Sequence, residues 1–385
     1  MKWPEQTTAL LVIHGIGQQS PFQTMGAFAQ GFVHACEKSG RKLLLNHGRK
    51  YMSLPDGPGW VENFVSCAER EGGPAVDIYE YYWQHLMQRQ ISFAEIVDWL
   101  KRVSDGGSAF YDWMKQQDAF KDRHAGHLRN RVAVVTAAGV DYLRLLPAGV
   151  RLAIELMYWL GNAAKAFVPW LYPVLKFFFR KAKRLVVDYV GDVAVYTTTD
   201  VKLKHYEVRD RILRAAVGKT QWLLDRYERV VLAGHSLGSV VAYDALNRLN
   251  NLMEVDAPLQ KQAARLKGLV TFGSPLDKVA FFFYERMGDR EFIRRQIVNR
   301  SHGFRSLAAR IPSKEFALGG GVPKHLDQLA WLNLYDPEDL ISGHLDFYDP
   351  VANIELRQGA STLEAHTAYW TNDAFYDRVA DGIFA

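Results

Sequence analysis

Short apolar runs recur along the chain, and most of them end at a glycine or at a polar loop. Runs of this length, rich in valine, leucine and isoleucine, are typical of strands that are buried on both faces. The pattern predicts strands at residues 8–14, 75–83, 229–233, 266–272, 329–335 and 351–356.

Helical periodicity fills several of the intervals between these runs. A first helix is predicted from Ser20 to about Cys36, with Ser20 as its N-cap and Pro21 at the first helical position. Other helices are predicted after Gly238 and over residues 372–383. Strands that alternate with helices predict an α/β protein, whose mainly parallel sheet is covered by helices on both faces.

Two long stretches, residues 84–188 and 277–323, interrupt this alternation. The longer one contains helical patterns and an apolar block at residues 148–179. We therefore expect an α/β core made of residues 1–83 and 189–385, with residues 84–188 inserted as a helical, apolar-rich cap or lid.

The apolar block is too often interrupted by charge to reach the roughly 18 residues that a membrane span needs. Behind it, a cluster of basic residues falls on one face of a predicted helix, opposite an apolar face. This basic face consists of Lys176, Arg180, Lys183 and Arg184. Such a helix predicts peripheral contact with a membrane surface through residues 148–184. The alternative is a helix packed on the core with a solvated basic stripe.

Composition narrows the class of protein. Hydrophobic residues make up 48% and charged residues 23%, which is enough apolar material for a globular core. The net charge is +5, but neither zinc-finger spacing nor an RNA-binding signature occurs, so we expect no nucleic-acid partner. The two cysteines, Cys36 and Cys67, do not form a disulfide framework. The N-terminal run lacks the pattern of a signal peptide, which predicts a cytoplasmic protein, with peripheral membrane contact if the basic face binds lipid.

The sequence Gly234-His235-Ser236-Leu237-Gly238 fits the G-x-S-x-G nucleophile elbow. In this motif a serine occupies a sharp, strained turn between a strand and a helix, and the flanking glycines leave room for the turn. An apolar strand precedes the motif here and a helical pattern follows it. This context predicts Ser236 as a nucleophile and the N–H of Leu237 as an oxyanion donor. The alternative is a structural turn with an incidental serine.

A serine nucleophile needs a base and an orienting acid, which follow it in the chain order acid, then histidine. The acid is expected in the loop after the strand at 329–335. We favour Asp339, and Asp336 is the alternate. His366 is the only histidine after the last predicted strand, which makes it the expected base. His235 is expected to pack away from the serine.

The second oxyanion donor is expected in the turn after the first strand. His14-Gly15-Ile16-Gly17 is an H-G-x-G pattern, and we choose the N–H of Ile16, with Gly17 as the second choice. A dinucleotide-binding loop is a poor alternative, because Ser20 occupies the place of the third glycine of that fingerprint.

Taken in order, the motifs VIHGIG, GHSLGS, TFGSPLD, WLNLYDPEDLIS and AHTAYW resemble those of the α/β-hydrolase superfamily. Within it the chain is similar to lipase and esterase branches related to class 3 lipases and PGAP1-like serine hydrolases. The resemblance covers about residues 8–83 and 190–385. It implies a Ser236, Asp339, His366 triad with Ile16 and Leu237 as oxyanion donors. The first strands of that family are expected to be absent, and the stretch 84–188 matches none of its motifs.

These features predict a serine esterase or lipase, a carboxylic ester hydrolase of lipid metabolism that needs no metal or organic cofactor. Its expected partner is a small-molecule ester or lipid. Phospholipase, thioesterase and acyltransferase activities with the same triad are the alternatives. A catalytically dead membrane adaptor and a small-molecule binding protein on the same fold are further readings that fold alone does not separate.

Overall fold

The computed structural model describes residues 1–16, 19–54, 57–87, 195–196, 204–279, 292–307, 309, 318–339, 341–359 and 364–384. Its strands are β1 (Thr8–Ile13), β2 (Leu43–Leu54), β3 (Gly57–Glu69), β4 (Ala75–Tyr81), β5 (Arg229–His235), β6 (Leu266–Phe272), β7 (Ala330–Tyr335) and β8 (Ala352–Glu355). Its helices are α1 (Gln23–Lys38), α2 (Gln84–Met87), α3 (Lys204–Leu224), α4 (Leu237–Leu252), α5 (Ala257–Lys261), α6 (Leu276–Val279), α7 (Phe292–Ser301) and α8 (Asp373–Ile383). Short 3-10 helices occupy Ala263–Arg265 and Ala368–Thr371.

All strands belong to one eight-stranded sheet with the order β2-β3-β4-β1-β5-β6-β7-β8. Neighbours from β4 to β8 pair in parallel, whereas β2 with β3 and β3 with β4 pair antiparallel. The α/β class and the mainly parallel sheet are therefore confirmed. Each predicted strand is present, with ends that differ by one or two residues.

Strands β2 and β3 were not predicted. They form a long antiparallel hairpin at one edge of the sheet, between α1 and β4. One face of an edge hairpin meets solvent, so its apolar residues do not form the continuous runs of a buried strand. Leu45 and Val61, for example, are both 53% exposed.

The core on one face of the sheet is formed by α1 and α8. Phe28 and Phe32 of α1 pack with Phe375 and Tyr376 of α8 over alternate residues of the central strands. Helix α4 contacts β1, β5 and β6, and its buried residues lie outside this cluster, so it covers the opposite face. Cys36 and Cys67 are free thiols in the first core, and burial raises the pKa of each to about 12.

Helix α1 begins differently from the prediction. Ser20 is not its N-cap and Pro21 is not its first residue, because Phe22 adopts a left-handed conformation (φ 68°) and the helix begins at Gln23. The carboxylate of Glu80, on β4, accepts hydrogen bonds from the N–H groups of Phe22, Thr24 (2.9 Å) and Met25 (3.3 Å). A buried carboxylate thus supplies the acceptor and the negative charge that a helix N-terminus requires.

The chain divides into two compact units. The first comprises Met1–Leu86, Asp210–Asp277 and Asp289–Ala385, and it contains the whole sheet. The second comprises Met87–Arg209 and Lys278–Gly288. The predicted cap at 84–188, apart from residues 84–87, lies outside the described residues, as does the basic face behind the apolar block. No helix in the described ranges has the length and apolar composition of a bilayer span.

Candidate active site

Ser236 lies at the turn between β5 and α4, as the motif predicts. Its backbone has φ 52° and ψ −129°, a combination that is costly for a residue with a side chain. Such a conformation persists only where the surrounding structure enforces it. The strand, the strained turn and the helix that the G-x-S-x-G motif predicts are therefore all present.

The two glycines of the motif allow backbone segments to approach closely. A Cβ atom on Gly238 would lie 2.3 Å from the carbonyl oxygens of both Ile13 and His14 at the end of β1. A Cβ atom on Gly234 would lie 2.5 Å from the Gly238 oxygen and from Cα of Ser239. Neither glycine has a positive φ, so the requirement is for space rather than for backbone freedom.

The hydroxyl groups of Ser239 and Ser274 form hydrogen bonds next to this turn. Ser239 donates hydrogen bonds from its backbone N–H (3.0 Å) and its hydroxyl (2.5 Å) to the carbonyl oxygen of Ser236. The Ser239 and Ser274 hydroxyls are 2.7 Å apart, and the Ser236 N–H donates to the carbonyl of Phe272. These contacts, which sequence reasoning missed, hold the strained residue against β6.

His366 and Asp339 form a close pair. Nδ1 of His366 lies 3.0 Å from Oδ2 and 3.1 Å from Oδ1 of Asp339, whose side chain is fully buried. Burial alone would raise the pKa of Asp339, but the hydrogen bond and charge of His366, with the N–H of Ile341, lower that pKa to about 2. Asp339 is therefore ionised at neutral pH, and its carboxylate accepts a hydrogen bond from Nδ1–H of His366.

The alternate acid, Asp336, has different partners. Its Oδ1 accepts the N–H of Glu338 (2.8 Å), and its Oδ2 accepts the N–H of Gln358 (2.9 Å). The carboxylate of Asp336 thus organises the backbone of two loops. Of the two aspartates, the structure brings Asp339 to the imidazole.

His235 is buried, as expected, but it does more than pack. Its Nε2 lies 2.8 Å from the backbone oxygen of His366, and the two imidazole rings are 4.8 Å apart. Burial, with repulsion from the neighbouring His366, lowers the pKa of His235 to about 3. The ring is therefore neutral, with its proton on Nε2, and it connects the elbow directly to the loop of the expected base.

The turn after β1 lies against Ser236. A Cβ atom on Gly15 would be 2.5 Å from Cβ and 3.2 Å from Oγ of the serine. His14 fixes this turn, because its Nδ1 bonds to the Gly15 oxygen (2.7 Å) and its Nε2 accepts the N–H of Trp83 (3.1 Å). The His14 and Trp83 rings stack at 4.9 Å, and burial lowers the pKa of His14 to about 4.

The two expected oxyanion donors belong to different elements. Leu237 is the first residue of α4, so its N–H has no acceptor inside the helix and lies at the positive end of the helix dipole. Ile16 follows Gly15 in the turn after β1, whereas Gly17 lies outside the described residues.

The Ser236 hydroxyl is buried and makes no hydrogen bond to the described part of the chain, the His366 ring included. Nucleophile–base hydrogen bonds are often long or misaligned without substrate.

His344, which follows the acid loop in the chain, has a partner of its own. Nδ1 of His344 lies 2.9 Å from Oδ1 of Asp346. Among the residues whose positions the structure gives, no three histidine, cysteine or acidic side chains are arranged to hold a metal ion.

No family model, no curated protein and no solved structure matches this chain. The resemblance of its motifs to those of α/β-hydrolases therefore remains an expectation.

The close approach at the elbow predicts that Gly238→Ala destabilises the fold by about 3 kcal/mol, because the new methyl group would meet backbone oxygens that cannot move aside. Gly26→Ala is the matched control, since a Cβ atom there meets nothing within 4 Å and alanine favours a helix by about 0.5–1 kcal/mol. Urea unfolding of both variants measures the difference. Equal stability of the two would contradict the elbow geometry.

Neutral His235 predicts a loss of stability in acid. Its folded pKa of about 3 lies below the usual histidine pKa of 6.5, so the unfolded chain binds the extra proton as the pH falls below about 6.5. At pH 5 this costs about 2 kcal/mol relative to pH 7.5. His235→Gln, which keeps a donor near the Nε2 position, should therefore lose about 2 kcal/mol less than the wild type in urea unfolding over this range. An identical loss in both proteins would refute neutrality of His235.

Proposed function

We propose that this chain is a serine hydrolase of the α/β-hydrolase type, which cleaves carboxylic esters through an acyl-enzyme. The observation that carries the proposal is the combination of a strained Ser236 at the start of α4 with a buried His366–Asp339 pair. The His235 side chain connects the two parts.

In the proposed reaction, Nε2 of His366 accepts the hydroxyl proton of Ser236 as Oγ attacks the ester carbonyl. Asp339 supports this role, because it bonds to Nδ1 and so leaves Nε2 as the free acceptor of the neutral ring. The ionised carboxylate then stabilises the imidazolium that forms. Its low pKa keeps the proton on the imidazole rather than on Asp339.

Negative charge develops on the carbonyl oxygen of the substrate as the tetrahedral intermediate forms. The N–H groups of Leu237 and Ile16 are its proposed donors, since one begins α4 and the other follows the glycine that touches Ser236. His366 then gives its proton to the departing alcohol. A water molecule, deprotonated by the same histidine, then attacks the acyl carbon. The bond from the acyl carbon to Oγ breaks, His366 returns the proton to Ser236, and the acid is released.

The arrangement of the sheet supports the α/β-hydrolase assignment. The nucleophile follows β5, the acid follows β7 and the base follows β8, so all three lie beyond the carboxyl ends of parallel strands. The family's first strands were expected to be absent. Here the hairpin β2–β3, which comes after β1 in the chain, supplies two antiparallel strands at the edge of the sheet next to β4.

An esterase is favoured over an inactive adaptor or a binding protein because of the cost of the elbow. A strained backbone at a buried serine lowers stability, and a chain without chemistry at this position gains nothing from it. Phospholipases, thioesterases and acyltransferases would use the same first half-reaction. A panel of carboxylic esters, phospholipids and thioesters of varied acyl length distinguishes these substrates. A cap and membrane contact through residues 148–184 remain predictions.

The two aspartates give the sharpest test. Asp339→Asn should reduce kcat on a soluble short-chain ester by about three to four orders of magnitude, as in a well-studied serine protease, because the imidazole would adopt the wrong tautomer. Asp336→Asn should cost less than about tenfold, since the Asp336 carboxylate accepts hydrogen bonds from the backbone N–H groups of Glu338 and Gln358 and does not contact the imidazole in the described residues. Ser236→Ala should abolish acyl-enzyme formation while leaving the fold intact.

Initial rates of ester hydrolysis, with thermal melting of each variant as the control for folding, measure these effects. A larger loss in Asp336→Asn would move the acid role to Asp336. Near wild-type turnover in Ser236→Ala would remove the nucleophile from the proposal altogether.

A further inference from the structure

Tyr369 lies three residues after His366, in the 3-10 helix Ala368–Thr371, and its side chain is completely buried. It stands beside the pair formed by His366 and Asp339 but belongs to neither the elbow nor the acid loop. Nothing in the proposed reaction uses its hydroxyl.

The hydroxyl oxygen of Tyr369 contacts the acid loop at three points. It lies 3.1 Å from Oδ2 of Asp339, 2.9 Å from the backbone N of Asp336 and 3.1 Å from Oγ of Ser342. These partners are spaced along the first half of the loop between β7 and β8. One phenol therefore links these parts of the loop that presents the acid.

The direction of each hydrogen bond follows from the available protons. A phenol has one proton, and an ionised carboxylate is only an acceptor, so Tyr369 donates to Asp339. The Asp336 N–H then donates to the phenol oxygen. Burial, with the adjacent charge of Asp339, raises the pKa of Tyr369 well above its usual value, so the phenol keeps its proton throughout the working pH range.

We infer that Tyr369 is a positioning residue for the triad acid, an inference that rests on the proposed function. Oδ2 of Asp339 is shared between Nδ1 of His366 at 3.0 Å and the Tyr369 hydroxyl at 3.1 Å. The second donor fixes the rotation of the carboxylate. It also draws off part of the negative charge that would otherwise act on the imidazole.

Among the described neighbours of the Tyr369 side chain, Asp339 is the one whose charged side chain contacts the phenol. Asp336 presents its backbone N–H to Tyr369, and its carboxylate bonds elsewhere. From the elbow, His235 faces the ring at 6.2 Å and is neutral because burial lowers its pKa to about 3. The neighbours from β6 and α8 are the rings of Phe272 and Phe375.

Tyr369→Phe keeps the packed ring and removes the hydroxyl. On a soluble ester we expect kcat to fall about tenfold with KM changed less than twofold, because the acid is less well oriented when the substrate is already bound. The acid limb of the kcat/KM profile should move up by about half to one pH unit, since the carboxylate then acts on the imidazole alone. A residue that only filled space would not move this limb.

Tyr376→Phe is the matched control. Tyr376 is also buried, but its hydroxyl donates to the backbone oxygen of Trp370 and not to the acid loop, so its loss should leave the limb in place. In an Asp339→Asn background, Tyr369→Phe should have less than a twofold further effect on kcat, because the tyrosine acts through Asp339.

If Tyr369→Phe fails to fold, 3-fluorotyrosine installed at position 369 replaces it. Its more acidic phenol is a stronger donor, so the acid limb should move to lower pH, opposite to the change expected for phenylalanine. An unchanged kcat and acid limb in the phenylalanine variant, or an unmoved limb with fluorotyrosine, would overturn the inference. Failure of the proposed function is distinct from this result, because the wild type itself would then lack ester turnover.

Discussion

The close approach of the first turn of α4 to the end of β1 is the constraint on which the rest of this site depends. Because Gly238 has no side chain, backbone from α4 reaches the carbonyl oxygens of Ile13 and His14. The same approach places Ser236 beside Gly15 and forces the serine backbone into its strained conformation. The proposed nucleophile, the helix N-terminus and the proposed oxyanion turn thus depend on one packing requirement. His14 and His235, both neutral, fix the backbone on either side of this contact.

A second group of contacts brings together the proposed acid and the proposed base. Parallel strands end at one edge of the sheet, so the loops after β7 and β8 meet near the elbow. His235 holds the backbone of His366, and Tyr369 holds the carboxylate of Asp339. Each contact satisfies a buried polar group, which would otherwise cost stability. The precision of the His366–Asp339 pair therefore depends on residues that do not react.

Sequence reasoning reached the parts of this arrangement that are local in the chain. The elbow and the central strands were predictable because buried parallel strands are continuous apolar runs and the turn needs glycine. The β2–β3 hairpin was not, since its half-exposed strands lack such runs. Asp336 and Asp339 lie close together in one loop, so the sequence favoured Asp339 without excluding Asp336. The fold shows that Asp339 is the one that meets the imidazole. Glu80, His235 and Tyr369 act across long sequence separations, which no periodicity marks.

The most direct test of the central claim is to locate the site of covalent modification by a fluorophosphonate. Such a reagent phosphonylates a serine only where a base and oxyanion donors activate it. The folded protein should gain one phosphonyl group, and peptide mass spectrometry should place it on Ser236. Prior unfolding in urea should abolish the reaction. A folded chain that stays unmodified, or that is modified at another serine while Ser236 is untouched, would contradict the account.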